Sequence, residues 1–201
     1  MTLLPFLEAN RIEAGCDEVG RGCLAGPVVA AAVILPQDYR NPWVKDSKKL
    51  SKKTREDLIQ EIKNTAVGWA IAEASVAEID RINILQASFL AMERAIQQLP
   101  QAPEHLLIDG NRWKSTLPHS YTCVIKGDGK FASIAAASIL AKVYRDELME
   151  KLAQEFPYYG WEQNAGYPTK KHREGIQSNG SCLWHRKSFQ LLPLQLSLGM
   201  E

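Results

Sequence analysis

Ile12-Glu13-Ala14-Gly15-Cys16-Asp17-Glu18-Val19-Gly20-Arg21-Gly22, followed shortly by Val28-Val29-Ala30-Ala31-Ala32-Val33-Ile34-Leu35, is the stretch that decides the fold. Ile12 to Val19 and Val28 to Leu35 read as two strands joined by a Gly-rich turn. The first ends in two adjacent carboxylates. A dinucleotide-binding turn is excluded, because Gly20, Gly22 and Gly26 miss the G-x-G-x-x-G spacing and a strand rather than a helix follows. Carboxylates directly ahead of the turn would also repel a pyrophosphate.

Working outward, Ser51 reads as the N-cap of a helix through Lys63, with Leu58, Ile59 and Ile62 on one face. Val67, Trp69 and Ile71 alternate with small or polar residues and predict a third strand. Ile82, Leu85, Phe89, Met92, Ile96 and Leu99 step by three and four, a helix that ends at Pro100. His105 to Asp109 and Tyr121 to Ile125 both read as buried strands. Phe131 to Phe156 reads as a long helix stopped by Pro157, and its Ala-rich first half can lie close against a sheet. Beyond Pro157 the texture turns aromatic, Gly-rich and basic, with Thr169 capping a short helix to about Ile176. This order predicts an α/β layer fold with a mixed sheet.

The 201 residues suit one compact domain with a small appendage. Hydrophobic residues at 45% and charged residues at 23% exclude a disordered chain. The longest apolar run, Val28 to Leu35, is too short to cross a bilayer, so no membrane role is expected. Cys16, Cys23, Cys123 and Cys182 are scattered and no basic flank precedes the first apolar residues, so reduced thiols in a cytoplasmic protein are expected. Zinc is disfavoured on the same grounds. A net charge of +1 says nothing about nucleic acid, but Lys45 to Arg55 and Lys170 to Lys187 are locally basic. Composition alone makes both of them solvated faces.

Asp17 and Glu18 alone would be a polar turn. Asp109 closes a second strand and Asp128 follows a third, and ligands gather where strands of an α/β sheet end. A shared acidic cluster repels itself unless a cation binds, and oxygen donors favour magnesium or manganese. Successive side chains on a strand face opposite ways, so Asp17 and Glu18 cannot be equivalent ligands of one ion along an ideal strand.

Taken in order, Ala14 to Gly22, Asp46-Ser47-Lys48-Lys49-Leu50, Leu107-Ile108-Asp109-Gly110-Asn111, Lys126-Gly127-Asp128, Ala135 to Asp146 and Gly166-Tyr167-Pro168-Thr169 resemble bacterial ribonuclease HII. The resemblance runs from about Ile12 to Phe189. It departs from the family's usual wording at Cys23, where Pro is common, and around Ser181 to Trp184. It implies a ribonuclease H-like mixed five-stranded sheet flanked by helices, a catalytic domain over residues 1–156 and a C-terminal helical extension over 157–201. It implies hydrolysis of RNA in RNA/DNA hybrids and at single ribonucleotides in duplex DNA, leaving 5′-phosphate and 3′-hydroxyl ends. Asp17, Glu18, Asp109 and Asp128 match the residues that hold manganese or magnesium in the family. Gly20, Arg21, Gly22 and Tyr167 match those that read the ribonucleotide.

Lys48, Lys49 and Lys142 are candidates for phosphate contacts, which position substrate without reading sequence. His172 is expected on a solvated helix face, and Ser138 on a small-residue stripe facing the sheet. A binding module with a degenerate acidic site is the alternative, but a pure binder gains nothing from carboxylates that repel phosphate. Ribonuclease HIII, the sister enzyme, carries an extra N-terminal domain, and only sixteen residues precede Asp17 here. A monomer is expected.

Overall fold

A computed structural model describes residues 3–44 and 51–193. Five strands form one mixed sheet: β1 Glu13–Val19, β2 Val28–Ile34, β3 Gly68–Ala74, β4 His105–Asp109 and β5 Ser120–Val124. Their order is β3-β2-β1-β4-β5, with β1, β2 and β3 antiparallel neighbours and β4 and β5 added in parallel to β1. The helices are α1 Lys52–Thr65, α2 Val76–Gln97, α3 Ala132–Glu155, α4 Trp161–Asn164 and α5 Lys170–Asn179. This is the α/β layer arrangement expected from the sequence.

The alternation of β1 divides the core. Ala14 and Cys16 face α2 together with Leu106 and Ile108, whereas Val29, Ala31 and Val33 face α1 and α3. Strands β1 and β2 are buried on both faces, which explains their unbroken apolar lettering. Helix α3 lies directly on β1: a Cβ on Gly15 would sit 2.3 Å from the backbone of Ser133 and Ile134. The small side chains of Ala135, Ala136 and Ala137, all buried, permit that approach.

Three readings need correction. Strand β5 is an edge strand whose first residues, Ser120 and Tyr121, are exposed, because no strand among the described residues pairs beyond it. Helix α2 begins at Val76, not near Ile82, under a capping box of Ser75 and Glu78. It is interrupted at Asn83, which takes a left-handed φ of 67° while its Oδ1 accepts from the amides of Leu85 and Gln86. The apolar spacing reports only the second segment, which Asn83 caps anew. The four-residue α4 was not read from the sequence at all, being too short for periodicity.

After α3 the chain folds back to make a second, smaller core. Leu24, Ala25, Met149, Leu152, Tyr159, Trp161 and Ile176 pack together there. It ties the loop after β1 to the C-terminal segment through Leu24 N to Gly166 O, Gly26 N to Trp184 O and Arg186 N to Leu24 O, at 2.8, 2.9 and 2.9 Å.

Candidate active site

The carboxylates meet because β1 and β4 run parallel side by side. Their last registered pair is Cys16 with Ile108, so Asp17 and Asp109 come next on neighbouring strands. Both point to the α3 side of the sheet, by alternation with Cys16 and Ile108, which face α2. Asp17 is only 6% exposed; its Oδ1 accepts the amide of Glu18 at 2.7 Å, and the Ser138 hydroxyl of α3 donates to its carboxylate. Asp109 Oδ1 accepts from the amide of Gly127 at 2.7 Å. Gly127 opens a 3-10 turn, Gly127–Gly129, whose buried Asp128 follows directly.

Glu18 turns to the α2 side, where its Oε1 meets Arg21 Nη1 at 3.2 Å. With Asp109 it lines a cleft of about 360 Å³, closed by Phe89 and Met92 of α2 and rimmed by Arg21, Asn111 and Arg112. Asp17 and Asp128 are not among the lining residues. The alternation argument thus holds: Asp17 and Glu18 occupy different surroundings.

Electrostatics mark this strand end as strained. Burial first, then the charges of Glu18 and Asp109, push the Asp17 carboxyl well above the ordinary carboxylate range, against hydrogen bonds from Ser138 and the Glu18 amide. Burial also raises Glu18, with Arg21 pulling the other way. A cation among these groups would relieve the repulsion, and an all-oxygen donor set suits a hard divalent ion. Among the described residues no three His, Cys, Asp or Glu side chains form a ready-made metal cage. The donor chemistry of Asp17, Glu18 and Asp109 is nonetheless that of a hard divalent ion.

Gly20-Arg21-Gly22 follows immediately, and Gly20 has φ +95°. The Tyr167 ring, 40% exposed, approaches this turn: its Cε1 lies 3.9 Å from where a Cβ on Gly22 would be. Residues nearly 150 positions apart in sequence are so brought together. Lys142 projects from α3 toward the same loop, where burial raises the Cys23 thiol and the charges of Arg145, Arg186 and Lys142 oppose that rise, but its ammonium is already paired with Asp146 at 2.6 Å. Lys48 and Lys49 lie outside the described residues.

Two further expectations fail, for one physical reason. His172 is fully buried, not solvated: its Nδ1 meets Tyr167 O at 2.9 Å and its Nε2 accepts from Trp161 Nε1 at 3.0 Å. Arg186, read as part of a solvated basic face, is also 0% exposed and hydrogen-bonded to loop carbonyls. In both cases packing beside the second core buries a polar residue among partners, nearby in sequence for His172 and some 160 positions away for Arg186. Ser138 does more than face the sheet, since it bonds Asp17. Its signal was present: Ser138, Lys142 and Arg145 lie at i, i+4 and i+7, one polar face of α3 turned toward β1 and the following loop.

Comparison with known proteins follows the same geometry. The family model described as Ribonuclease HII matches residues 14–192. The chain belongs to the ribonuclease HII family. It is 60% identical to Ribonuclease HII of Parabacteroides distasonis over 197 residues, covering 98% of this chain and 99% of that one. Against Ribonuclease HII of Cytophaga hutchinsonii it is 53% identical over 199 residues, 98% of each. Among solved structures, ribonuclease H2 of Pyrococcus horikoshii superposes with a TM-score of 0.74 at 25% identity, covering 89% of this chain and 94% of that one. RNase HII of Archaeoglobus fulgidus, solved in a complex with PCNA, gives 0.72 at 28% identity, with 92% and 98% covered. Bst-RNase HIII in complex with Mn²⁺ gives 0.71 at 21% identity, a likeness of fold, and covers 68% of that longer chain. The sheet is therefore the ribonuclease H-like one, and this ribonuclease HII is a metal-dependent endoribonuclease acting on RNA/DNA hybrids. No helix among the described residues is long and apolar enough to cross a membrane.

Proposed function

We propose that this ribonuclease HII also cuts duplex DNA at a single embedded ribonucleotide, leaving 5′-phosphate and 3′-hydroxyl ends, with magnesium or manganese as its ion. The observation that carries this reading is the meeting of Tyr167 with the Gly20-Arg21-Gly22 turn beside Glu18 and Asp109. A turn with two glycines admits a sugar closely, and the 2′-hydroxyl is the group that separates RNA from DNA. An exposed aromatic face against that turn supplies a wall on which the neighbouring sugar packs.

Asp17, Glu18, Asp109 and Asp128 would hold the ion, which when bound supplies an activated water and charge stabilisation on the leaving oxygen. The chain's own part is to place these groups. Ser138 fixes the Asp17 carboxylate and the Gly127 amide fixes Asp109. Arg21 and Arg112 set positive charge at the cleft rim, where a phosphate backbone would run. Lys142, Lys48 and Lys49 are assigned the same positioning role. In this reading residues 1–156 form the catalytic domain and 157–201 a helical extension that completes the substrate site, working as a monomer in the cytoplasm.

The test is a DNA duplex with one ribonucleotide, incubated with the protein and magnesium or manganese, products resolved at nucleotide resolution. Cleavage at that ribonucleotide, leaving 5′-phosphate and 3′-hydroxyl ends and abolished by chelator and by Asp17→Asn, is expected. A duplex left whole under conditions that degrade a continuous hybrid would sink the reading.

A further inference from the structure

Beneath the turn after β1 lie two guanidiniums, neither of them exposed at all. Arg145, from the middle of α3, donates to Pro27 O at 3.1 Å, Ala165 O at 2.7 Å and Ala25 O at 2.9 Å. Arg186, from the C-terminal segment, donates to Gly26 O, Arg21 O, Gly20 O and Pro27 O at 3.0, 2.9, 2.7 and 3.2 Å. Every one of these acceptors is a backbone carbonyl. Six of the seven bonds end on residues 20–27. Two like charges buried together are costly: burial, with the charge of Arg145 adding to it, pushes Arg186 down to about 10. A fold that retains such a pair is using the arginine fork for something a hydrophobic core cannot do.

The geometry shows what that is. There is no cis peptide among the described residues, and in a trans peptide the carbonyl and the following N–H point in opposite directions. With Gly20 O and Arg21 O both drawn inward onto Arg186 Nη2 and Nη1, the amides of Arg21 and Gly22 must point outward. Neither amide meets an acceptor among the described residues. Arg21 and Gly22 are both exposed, and Tyr167 stands beside Gly22 on the same turn. The glycines belong to the same device: a Cβ on Gly20 would fall 2.3 Å from Arg145 Nε, and one on Gly26 would fall 3.2 Å from Arg145 Nη2.

We propose that Arg145 and Arg186 are positioning residues for ribonucleotide recognition. They hold the carbonyls of the 20–27 loop inward so that the Arg21 and Gly22 amides present two donors to the substrate's sugar and phosphate oxygens. The proposal rests on the reading that this turn meets the ribonucleotide. It adds that the selectivity is set from below, by residues that never touch the substrate. A lysine cannot substitute, because one ammonium cannot bridge carbonyls spread along the loop as a planar fork does.

The test compares two substrates in one protein. Arg186→Lys and Arg145→Lys are assayed on a duplex with a single ribonucleotide and on a continuous RNA/DNA hybrid, with kcat and KM separated and folding checked by melting. Any loss of folded protein lowers both activities by one factor and leaves their ratio alone. A lone ribonucleotide offers one 2′-hydroxyl, whereas a hybrid offers many and an A-form shape. Expected is a fall in kcat/KM on the single ribonucleotide about tenfold or more beyond the fall on the hybrid. An unchanged ratio in both variants overturns the proposal. If wild type itself spares the single ribonucleotide, the underlying functional reading fails instead, a different result. Should the lysine variants not fold, amide exchange on the wild-type chain in chelator decides. The Arg21 and Gly22 amides should exchange fast when free and slow on adding the single-ribonucleotide duplex; protection already present without duplex, or none with it, overturns the proposal.

Discussion

The open end of the sheet and the floor of the loop beside it are built on opposite electrostatic terms. At the sheet end the charges of Asp17, Glu18 and Asp109 lie close to one another, and Asp17 is held well above its ordinary range by burial and by its acidic neighbours. Under the loop, Arg145 and Arg186 are buried just as deeply yet satisfied by seven carbonyl bonds, and His172 and His185 are closed into one network with Trp161. One region keeps its charges in conflict and the other resolves them. Conflict at the first is what a bound cation would relieve; at the second, every guanidinium bond already has its acceptor.

The contrast breaks most visibly at Asp17. Asp17→Asn removes a proposed metal ligand and a repelling charge together. Activity should drop by about 10²-fold or more, while the melting temperature stays level or rises. Single-turnover cleavage alongside thermal melting reads both, and a variant that is both active and destabilised would contradict the assignment of strain to this end. Next comes the contact that seats the acidic strand. Gly15→Ala drives a Cβ into the backbone of Ser133 and Ile134 at 2.3 Å and should cost about 1–3 kcal/mol in urea unfolding. A neutral result would mean that α3 can slide away from β1.

The closed network is probed with acid. His185 is pushed down to about 4 by burial and by His172, and His172 is also lowered by burial. The unfolded chain takes up protons near the ordinary imidazole value of about 6.5 that the folded pair refuses. Stability is therefore complete above that value and is lost as pH falls from there toward about 4. Urea midpoints across this window should slope downward in wild type and less so in His185→Gln; parallel slopes would remove the histidines from the account. The smallest effect is a reference outside both regions. Glu78 joins Arg94 at 2.6 Å and caps α2 through Ser75, which holds its carboxyl down to about 2, with the Arg94 bond the leading cause. Its contribution is present above about 4.5 and lost as pH falls toward about 2, and Glu78→Gln should cost about 0.5–1 kcal/mol by urea titration.

Particular residues show how far the sequence could be read. Strands β1 and β2 were legible because an apolar run bounded by a Gly-rich turn is a local signal, and α3 because its alanines and Pro157 are. Asp17 and Asp109 were legible as a pair only through the recurrence of acids at strand ends. His172 and Arg186 were misread: neighbours as close as Tyr167 and Trp161 enclose His172 only once the chain folds back, and the Gly20 carbonyl lies far from Arg186 in sequence. Asn83 hid the start of α2, because a residue with a left-handed φ resets the helical phase without disturbing composition.

By itself, then, the sequence determined the layer order, the acidic strand ends and the glycine turn, all written in local periodicity and steric need. The tertiary structure alone decided that Asp17 and Glu18 live in different environments, that Tyr167 stands against Gly22, and that two buried arginines underlie the turn. Those facts depend on parallel pairing of β1 with β4 and on the chain's return across its own loop. Long-range pairing fixes which polar groups lose water together, and no local pattern encodes that.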